Sequence, residues 1–213
     1  MKEDVVLVIC AHNDDQVLGA GGTIAKYSRE GTKVIVVVFS YGESSHAWLK
    51  ESEIIKTRVK ESRKADKLLG VEKTFYYGLK EGSFAEEFEN KNLKKNLKRL
   101  VTVLKPSKIF THSFDDPHPD HRAVYNKVKE TLKNKKIDMY SFDIWNPFNI
   151  RKRHSPKLVV DVTKTFKNKI KAFSLHESQW HAKLIMMPAA YARGMLNGLN
   201  YGIRFAEVFY KLK

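Results

Sequence analysis

The sequence predicts an α/β protein in which a mostly parallel sheet is flanked by helices. Three observations predict it. Short apolar segments alternate with amphipathic segments of helical length, glycine stands just past the first two helices, and histidine–aspartate clusters follow two of the apolar segments. Strands separated by helices of this length need crossover connections, which give parallel neighbours and a sheet buried on both faces.

The elements follow in order. Val5-Val6-Leu7-Val8-Ile9 reads as a buried strand, because an unbroken apolar run leaves no wet face. Gln16 to Glu30 is a helix closed by Gly31, Lys33 to Phe39 a second buried strand, and Glu51 to Leu69 a helix closed by Gly70. Glycine is the usual residue just past a helix end. Thr74 to Tyr77 is a short third strand. Phe88 to Leu104 reads as one helix, with Leu93, Leu97, Leu100 and Leu104 at helical spacing. Ser107 to His112 is a fourth strand and His121 to Leu132 a further helix, followed by strands over Ile137 to Trp145 and Lys157 to Val162. Beyond Asp161 the pattern is helical at first and then ambiguous. No repeat, low-complexity tract or linker interrupts the chain, so residues 1–213 are expected to form one domain around one core.

Composition excludes several classes. At 42% hydrophobic the chain is not disordered, and no apolar run reaches the roughly eighteen residues of a membrane span. The N-terminus lacks the apolar core of a signal peptide. Cys10 is the single cysteine, so no disulfide framework exists and a reducing, cytoplasmic setting is expected. The charge is lopsided, 39 Lys+Arg against 24 Asp+Glu, for a formal net of +15. Lysines gather at 91–108, 127–136 and 164–171, a field that would attract nucleic acid, anionic membranes or a phosphorylated substrate. The first gathering, however, is the wet face of an amphipathic helix, and no nucleic-acid reader motif accompanies any of them. The expected partner is a small-molecule or oligosaccharide substrate, anionic ones included, with no nucleic acid and no membrane anchor. A homo-oligomer is left open.

The chemistry lies in Cys10-Ala11-His12-Asn13-Asp14-Asp15 and, about a hundred residues on, in His118-Pro119-Asp120-His121. Each follows an apolar strand. Alone, either could be a polar loop with a helix cap. Together, at the carboxyl ends of strands in one open sheet, they can converge in one crevice. His12 and Asp15 are three residues apart at a strand-to-helix turn, close enough to share an ion with His121. Catalytic zinc takes three protein ligands and keeps one position for a water whose pKa falls to about 7. Asp14 would then accept a proton as general base. His118 would stabilise the developing oxyanion and protonate the leaving amine. Asp120 would sit behind a histidine and hold its tautomer.

These motifs resemble those of the LmbE/PIG-L family of zinc-dependent N-acetylglucosaminyl deacetylases, which read A-H-P-D-D-E and H-P-D-H. The likeness continues through Gly19 to Thr23, Arg58, Glu61, Tyr77 to Gly82, His176-Glu177-Ser178-Gln179 and Ala206 to Phe209. It implies a Rossmann-like, LmbE-like sheet. It also implies Zn²⁺ ligands at His12, Asp15 and His121, a base at Asp14, a charge-stabilising histidine at His118, and sugar contacts from Arg58 and Glu81. Asn13 and Gln16 depart from the pattern without touching a ligand, and Glu81 stands where aspartate is usual. The implied activity is removal of an acetyl group from an N-acetylated amino sugar by metal-activated water. The same hydrolysis of a non-sugar N-acyl conjugate, and a basic binding protein without turnover, remain as alternatives. Asp115 and Asp116 either tune the site or form its turn. Trp145-Asn146-Pro147 is placed beside the substrate. His176 is expected to be packed or at the surface without a task, and His46, His112, His154 and His181 to be structural.

Overall fold

The computed structural model describes residues 4–45, 50–144 and 155–212. Its first half runs β1 (Val5–Cys10), α1 (Asp15–Arg29), β2 (Lys33–Val38), α2 (Glu51–Leu69), β3 (Lys73–Tyr76), α3 (Phe84–Asn90) and α4 (Leu93–Leu104). Then come β4 (Lys108–His112), α5 (Pro119–Leu132), β5 (Asp138–Phe142), β6 (Lys157–Asp161), α6 (Phe166–Ser174), α7 (Trp180–Asn200) and β7 (Ala206–Lys211). The strands form a seven-stranded sheet ordered β3-β2-β1-β4-β5-β7-β6. Strands β1 to β5 pair in parallel, whereas β7 runs antiparallel between β5 and β6.

Alternation along β1 sets the two faces. Val6, Val8 and Cys10 enter one apolar cluster with α1, α2, α6 and α7 residues, while Leu7, Ile9 and Ala11 enter another with α3, α4 and α5. Strand order reverses at β1: the chain steps to β2 and β3 on one side, then returns to β4 and β5 on the other. Such a reversal leaves a crevice beyond the carboxyl ends of β1 and β4, the usual place for a site in an open α/β sheet. No helix among the described residues is long and apolar enough to cross a membrane.

Three expectations are corrected. The helix expected over 88–104 is two, α3 and α4, broken at Asn92, which takes the left-handed φ of 52°. The apolar spacing runs on through the break because Phe84, Phe88, Leu93 and Leu97 share one core. The strand expected to reach Trp145 ends at Phe142, and residues 145–154, including Trp145-Asn146-Pro147 and His154, lie outside the described residues, as does His46. The ambiguous C-terminal region is α7 and then β7. Pro188, Gly194 and Gly198 disguise α7. The two glycines serve close approach, since a Cβ would meet Phe166 at 2.5 Å from Gly194 and the Arg204 backbone at 2.6 Å from Gly198.

A charge disguises β7. Glu207 is buried, accepting from Gly22 N–H at 3.0 Å, Thr23 N–H at 2.7 Å and Lys169 Nζ at 2.6 Å, and so ties β7 to α1 and α6. Burial pulls the Lys169 ammonium below its usual pKa, while Glu207 opposes this. Glu207→Ala leaves that cation and two helix N–H groups without their acceptor. It is expected to cost about 3–5 kcal/mol, read from urea denaturation. A loss below about 1 kcal/mol would mean that water replaces the carboxylate.

Candidate metal centre and its cavity

Strand β1 ends at Cys10, and the next residues turn into the first coil of α1. The Asp15 carboxylate folds back over this turn, its Oδ2 accepting from His12 N–H at 2.7 Å. A negative charge here is also favoured by the helix dipole. Asn13 and Gln16 fit the same turn: Asn13 Nδ2 donates to Tyr41 O at 3.2 Å, and Gln16 Nε2 to Asp66 Oδ1 on α2 at 3.0 Å. Asp14 occupies the N-cap position, yet its side chain caps nothing. It faces the Arg58 guanidinium instead, 3.4 Å from Nη2. Arg58 is buried on α2 and donates to Gly42 O at 3.0 Å. Gly42 has to be glycine: its φ is 76°, and a Cβ there would lie 2.0 Å from the guanidinium.

The second motif opens α5. His118 is the N-cap, its Nδ1 accepting from Asp120 N–H at 3.2 Å. Pro119 follows at N1, where its missing N–H costs nothing. One turn in, His121 Nε2 stands 3.4 Å from Asp15 Oδ1. Asp120 accepts from Gly82 N–H and lies 3.5 Å from His12 Nε2, with Glu81 Oε1 at 3.3 Å from the same nitrogen. Glu81 Oε2 accepts from Ser44 N–H at 2.7 Å. Glu81 and Asp120 thus bracket one histidine.

Donor atoms of His12, Asp15 and His121 lie within 4.8 Å of one another, and all three residues are buried. Both ring nitrogens of His121 lack a hydrogen-bond partner among the described residues, although Asp116 Oδ1 is 3.0 Å from Nδ1. A buried imidazole of this kind, beside a carboxylate and a second imidazole, fits a divalent cation. Around it, His12, Asp14, Asp15, Arg58, Glu81, His118, Asp120 and His121 line one cavity of about 380 Å³, closed by Leu18, Ile144, Gln179, Ala182 and Met186. Among the described residues the lining holds four carboxylates, Asp14, Asp15, Glu81 and Asp120, with Arg58 and no lysine.

Electrostatics follow from burial and these pairs. Burial opposes protonation of His12, yet Asp120 and Asp15, with Glu81, raise its pKa to about 10. Burial likewise opposes, and Asp15 and Asp116 outweigh it, at His121, which rises to about 9. The Asp15 carboxyl is held well below its usual value by His121 and His112 despite burial. Burial and the charge of His121 lower His118. A ring that accepts through Nδ1 is neutral and keeps its proton on Nε2. In this arrangement His118 is therefore a neutral donor.

One neighbour of the centre escaped the sequence reading and another was left open. His112, expected to be structural, ends β4 fully buried against the centre. It stacks on His121 with ring centroids 4.0 Å apart, accepts from Ala11 N–H at 2.9 Å, and lies 3.2 Å from Asp15 Oδ2. Burial and the charge of His121 lower its pKa to about 4, so it is neutral. Its only signal was its place at the end of the strand next to β1. Asp116, left between two readings, stands behind His121. Asp116→Asn is expected to weaken metal affinity by about 10–100-fold without abolishing it. Competition with a chromophoric chelator reads this, and an unchanged affinity would leave Asp116 as a turn residue.

His176 is fully buried with neither ring nitrogen hydrogen-bonded among the described residues, close enough to Asp14 and Arg58 to feel their charges, and burial lowers its pKa. Beside it, Glu61 on α2 accepts from Ser178 N–H at 2.8 Å and Oγ at 2.6 Å. That clamp sets Gln179 and the start of α7 against the cavity.

Comparison with known proteins gives a consistent picture. Residues 7–132 match the model of the PIG-L family, described as GlcNAc-PI de-N-acetylase. A diacetylchitobiose deacetylase of Thermococcus kodakarensis is 26% identical over 95% of this chain and 84% of its own length. A 4-oxalmesaconate hydratase of Pseudomonas putida is 27% identical over 94% and 84%. In three dimensions, the N,N'-diacetylchitobiose deacetylase of Pyrococcus horikoshii superposes with a TM-score of 0.82 at 26% identity, covering 98% of this chain and 84% of that one.

Proposed function

The chain belongs to the PIG-L family of GlcNAc-PI de-N-acetylases, and we propose that it is a zinc-dependent hydrolase removing the acetyl group from a GlcNAc-type amino sugar. The observation that carries this reading is the gathering of His12, Asp15 and His121 within 4.8 Å, in a cavity also lined by Asp14 and His118. A divalent ion, zinc by its mixed nitrogen and oxygen donors, supplies when bound a Lewis acid that polarises the amide carbonyl and acidifies water.

The chain's own residues do the rest. Asp14, not used as a helix cap and steadied by Arg58, takes the proton of the attacking water and passes it to the departing amine. His118, its Nδ1 committed to Asp120 N–H, donates from Nε2 to the charge growing on the carbonyl oxygen. Asp116 steadies His121, and Glu81 and Asp120 steady His12. The C–N bond breaks, releasing acetate and a free amine. Arg58 beside Asp14 and Glu81 beside His12 both line the cavity and would meet sugar hydroxyls. A cavity walled by Leu18, Ile144 and Met186 suits the apolar face of a pyranose ring.

The test is acetate release from N,N'-diacetylchitobiose, GlcNAc and phosphorylated GlcNAc, with and without chelator. Chelator-sensitive acetate from at least one sugar is expected. Turnover of 4-oxalmesaconate or of a non-sugar amide alone would overturn the reading. A neutral sugar offers no charge to the field of the chain, so its kcat/KM is expected to stay nearly flat as salt is added. A steep fall with salt for a phosphorylated sugar would instead reveal steering by the lysine-rich surface, whose reach is only about 8 Å at physiological ionic strength.

A further inference from the structure

Asp143 and Ile144, the two residues beyond β5, leave the sheet without leaving the core. Pairing of β5 with β4 stops at Phe142 and pairing with β7 at Ser141, yet both residues are buried. Backbone carbonyls in such a place need donors. Helix α7 supplies them through one side chain. The Arg193 guanidinium donates from Nη1 to Asp143 O and from Nη2 to Ile144 O, the latter at 2.9 Å. Donors fixed in one rigid plane set both the place and the tilt of the segment that they hold. Burial lowers the pKa of Arg193, and the charges of Asp143 and then Asp116 oppose the shift.

The segment held in this way reaches the metal centre. Ile144 N–H donates to Asp116 Oδ2 at 3.4 Å, and the Ile144 side chain closes the cavity. The other oxygen, Asp116 Oδ1, accepts from His118 N–H at 2.9 Å and stands 3.0 Å from His121 Nδ1. A carboxylate held at one oxygen can swing about that bond. Held at both, it presents a fixed oxygen to the imidazole, keeps the ring proton on Nδ1, and leaves Nε2 turned toward Asp15, 3.4 Å away. The reaction described above gives Arg193 no part, although its hydrogen bonds end on the backbone that steadies Asp116.

We propose that Arg193 is a positioning residue of the metal centre: by gripping the backbone of Asp143 and Ile144 it keeps Ile144 N–H on Asp116, and Asp116 on His121. This rests on the reading of His121 as a metal ligand and extends it to a helix whose arginine is 49 residues from Ile144 in sequence.

Arg193→Met keeps the length of the side chain and deletes its donors. Zinc affinity, read by competition with a chromophoric chelator, is expected to fall about tenfold, the low end of what the outer partners of a ligand contribute. Arg193→Lys, which reaches one carbonyl at a time, should recover part of the loss. A loosened fold could also weaken zinc, so the deciding measurement is a cycle with Asp116→Asn. If Arg193 acts through Asp116, the double variant Arg193→Met, Asp116→Asn binds zinc about as well as Asp116→Asn alone, whereas independent losses multiply. In the absence of zinc, amide hydrogen exchange of Arg193→Met should quicken at Asp143 and Ile144 and stay as in the parent along α1. Unchanged affinity, losses that multiply, or exchange that is unaltered at Ile144 or raised throughout the chain would overturn the proposal and leave the metal centre standing. A parent that binds no zinc would overturn the metal centre itself, and the proposal with it.

Discussion

Replacing Asp14 by asparagine is expected to lower kcat by roughly two to four orders of magnitude, the worth of a general base, while the ion stays bound. Asparagine keeps the shape of aspartate and a carbonyl for Arg58, 3.4 Å away, but has no carboxylate to take a proton. The fold should not notice the change, because the side chain makes no capping bond. Acetate release measures the rate, and elemental analysis of the same sample measures the ion. Loss of the ion would move Asp14 into the ligand set. An unchanged rate would mean that another group accepts the proton.

Removing His12, Asp15 or His121 one at a time by alanine is expected to take the ion from about one per chain to a trace and activity to background. Asp15→Ala should be the most severe for the fold as well. It deletes the acceptor for His12 N–H and uncovers both His112 and His121. The charges of the two imidazoles also predict how binding depends on pH. His12 and His121, raised to about 10 and about 9 by their carboxylates, each hold a proton at pH 7. An ion must expel those protons, so affinity rises with pH until about 9–10 and then levels. Titration calorimetry at pH 7 in two buffers of different ionisation enthalpy should count about two protons released. A count of zero would show that neither imidazole carries a proton at pH 7 before the ion binds.

Much of the site was legible because its residues come in two short runs. In His12 to Asp15, the turn after β1 and the first coil of α1 gather a ring and two carboxylates within four residues. In His118 to His121, an N-cap and the first turn of α5 do the same. Local geometry alone brings each set together. Arg58 and Glu81 were reached through likeness to a family, since a lone arginine on a polar helix face announces nothing. The structure places both in the cavity. His112 was missed because it is the last residue of a strand with no companion nearby, and its partner Ala11 is 101 residues away. His176 was left without a task for the same reason.

By itself, the sequence determined what repeats at short range: the strand–helix alternation, the two-faced apolar pattern of β1, and the donor types of the two motifs. Periodicity is a property of neighbours along the chain, so it survives without a fold. Only the tertiary structure decided which strands adjoin, and hence that β1 and β4 deliver both motifs into one crevice. It also decided which carboxylate stands beside which ring, Asp120 beside His12 and Asp116 beside His121, and that β7 enters the sheet with a buried glutamate. For the strand order and for β7 the deciding interaction joins residues distant in sequence: Glu207 is tolerated in a strand because Lys169 and the α1 N–H groups meet it there. A buried charge is costly until its partner arrives, and that partner is supplied by topology.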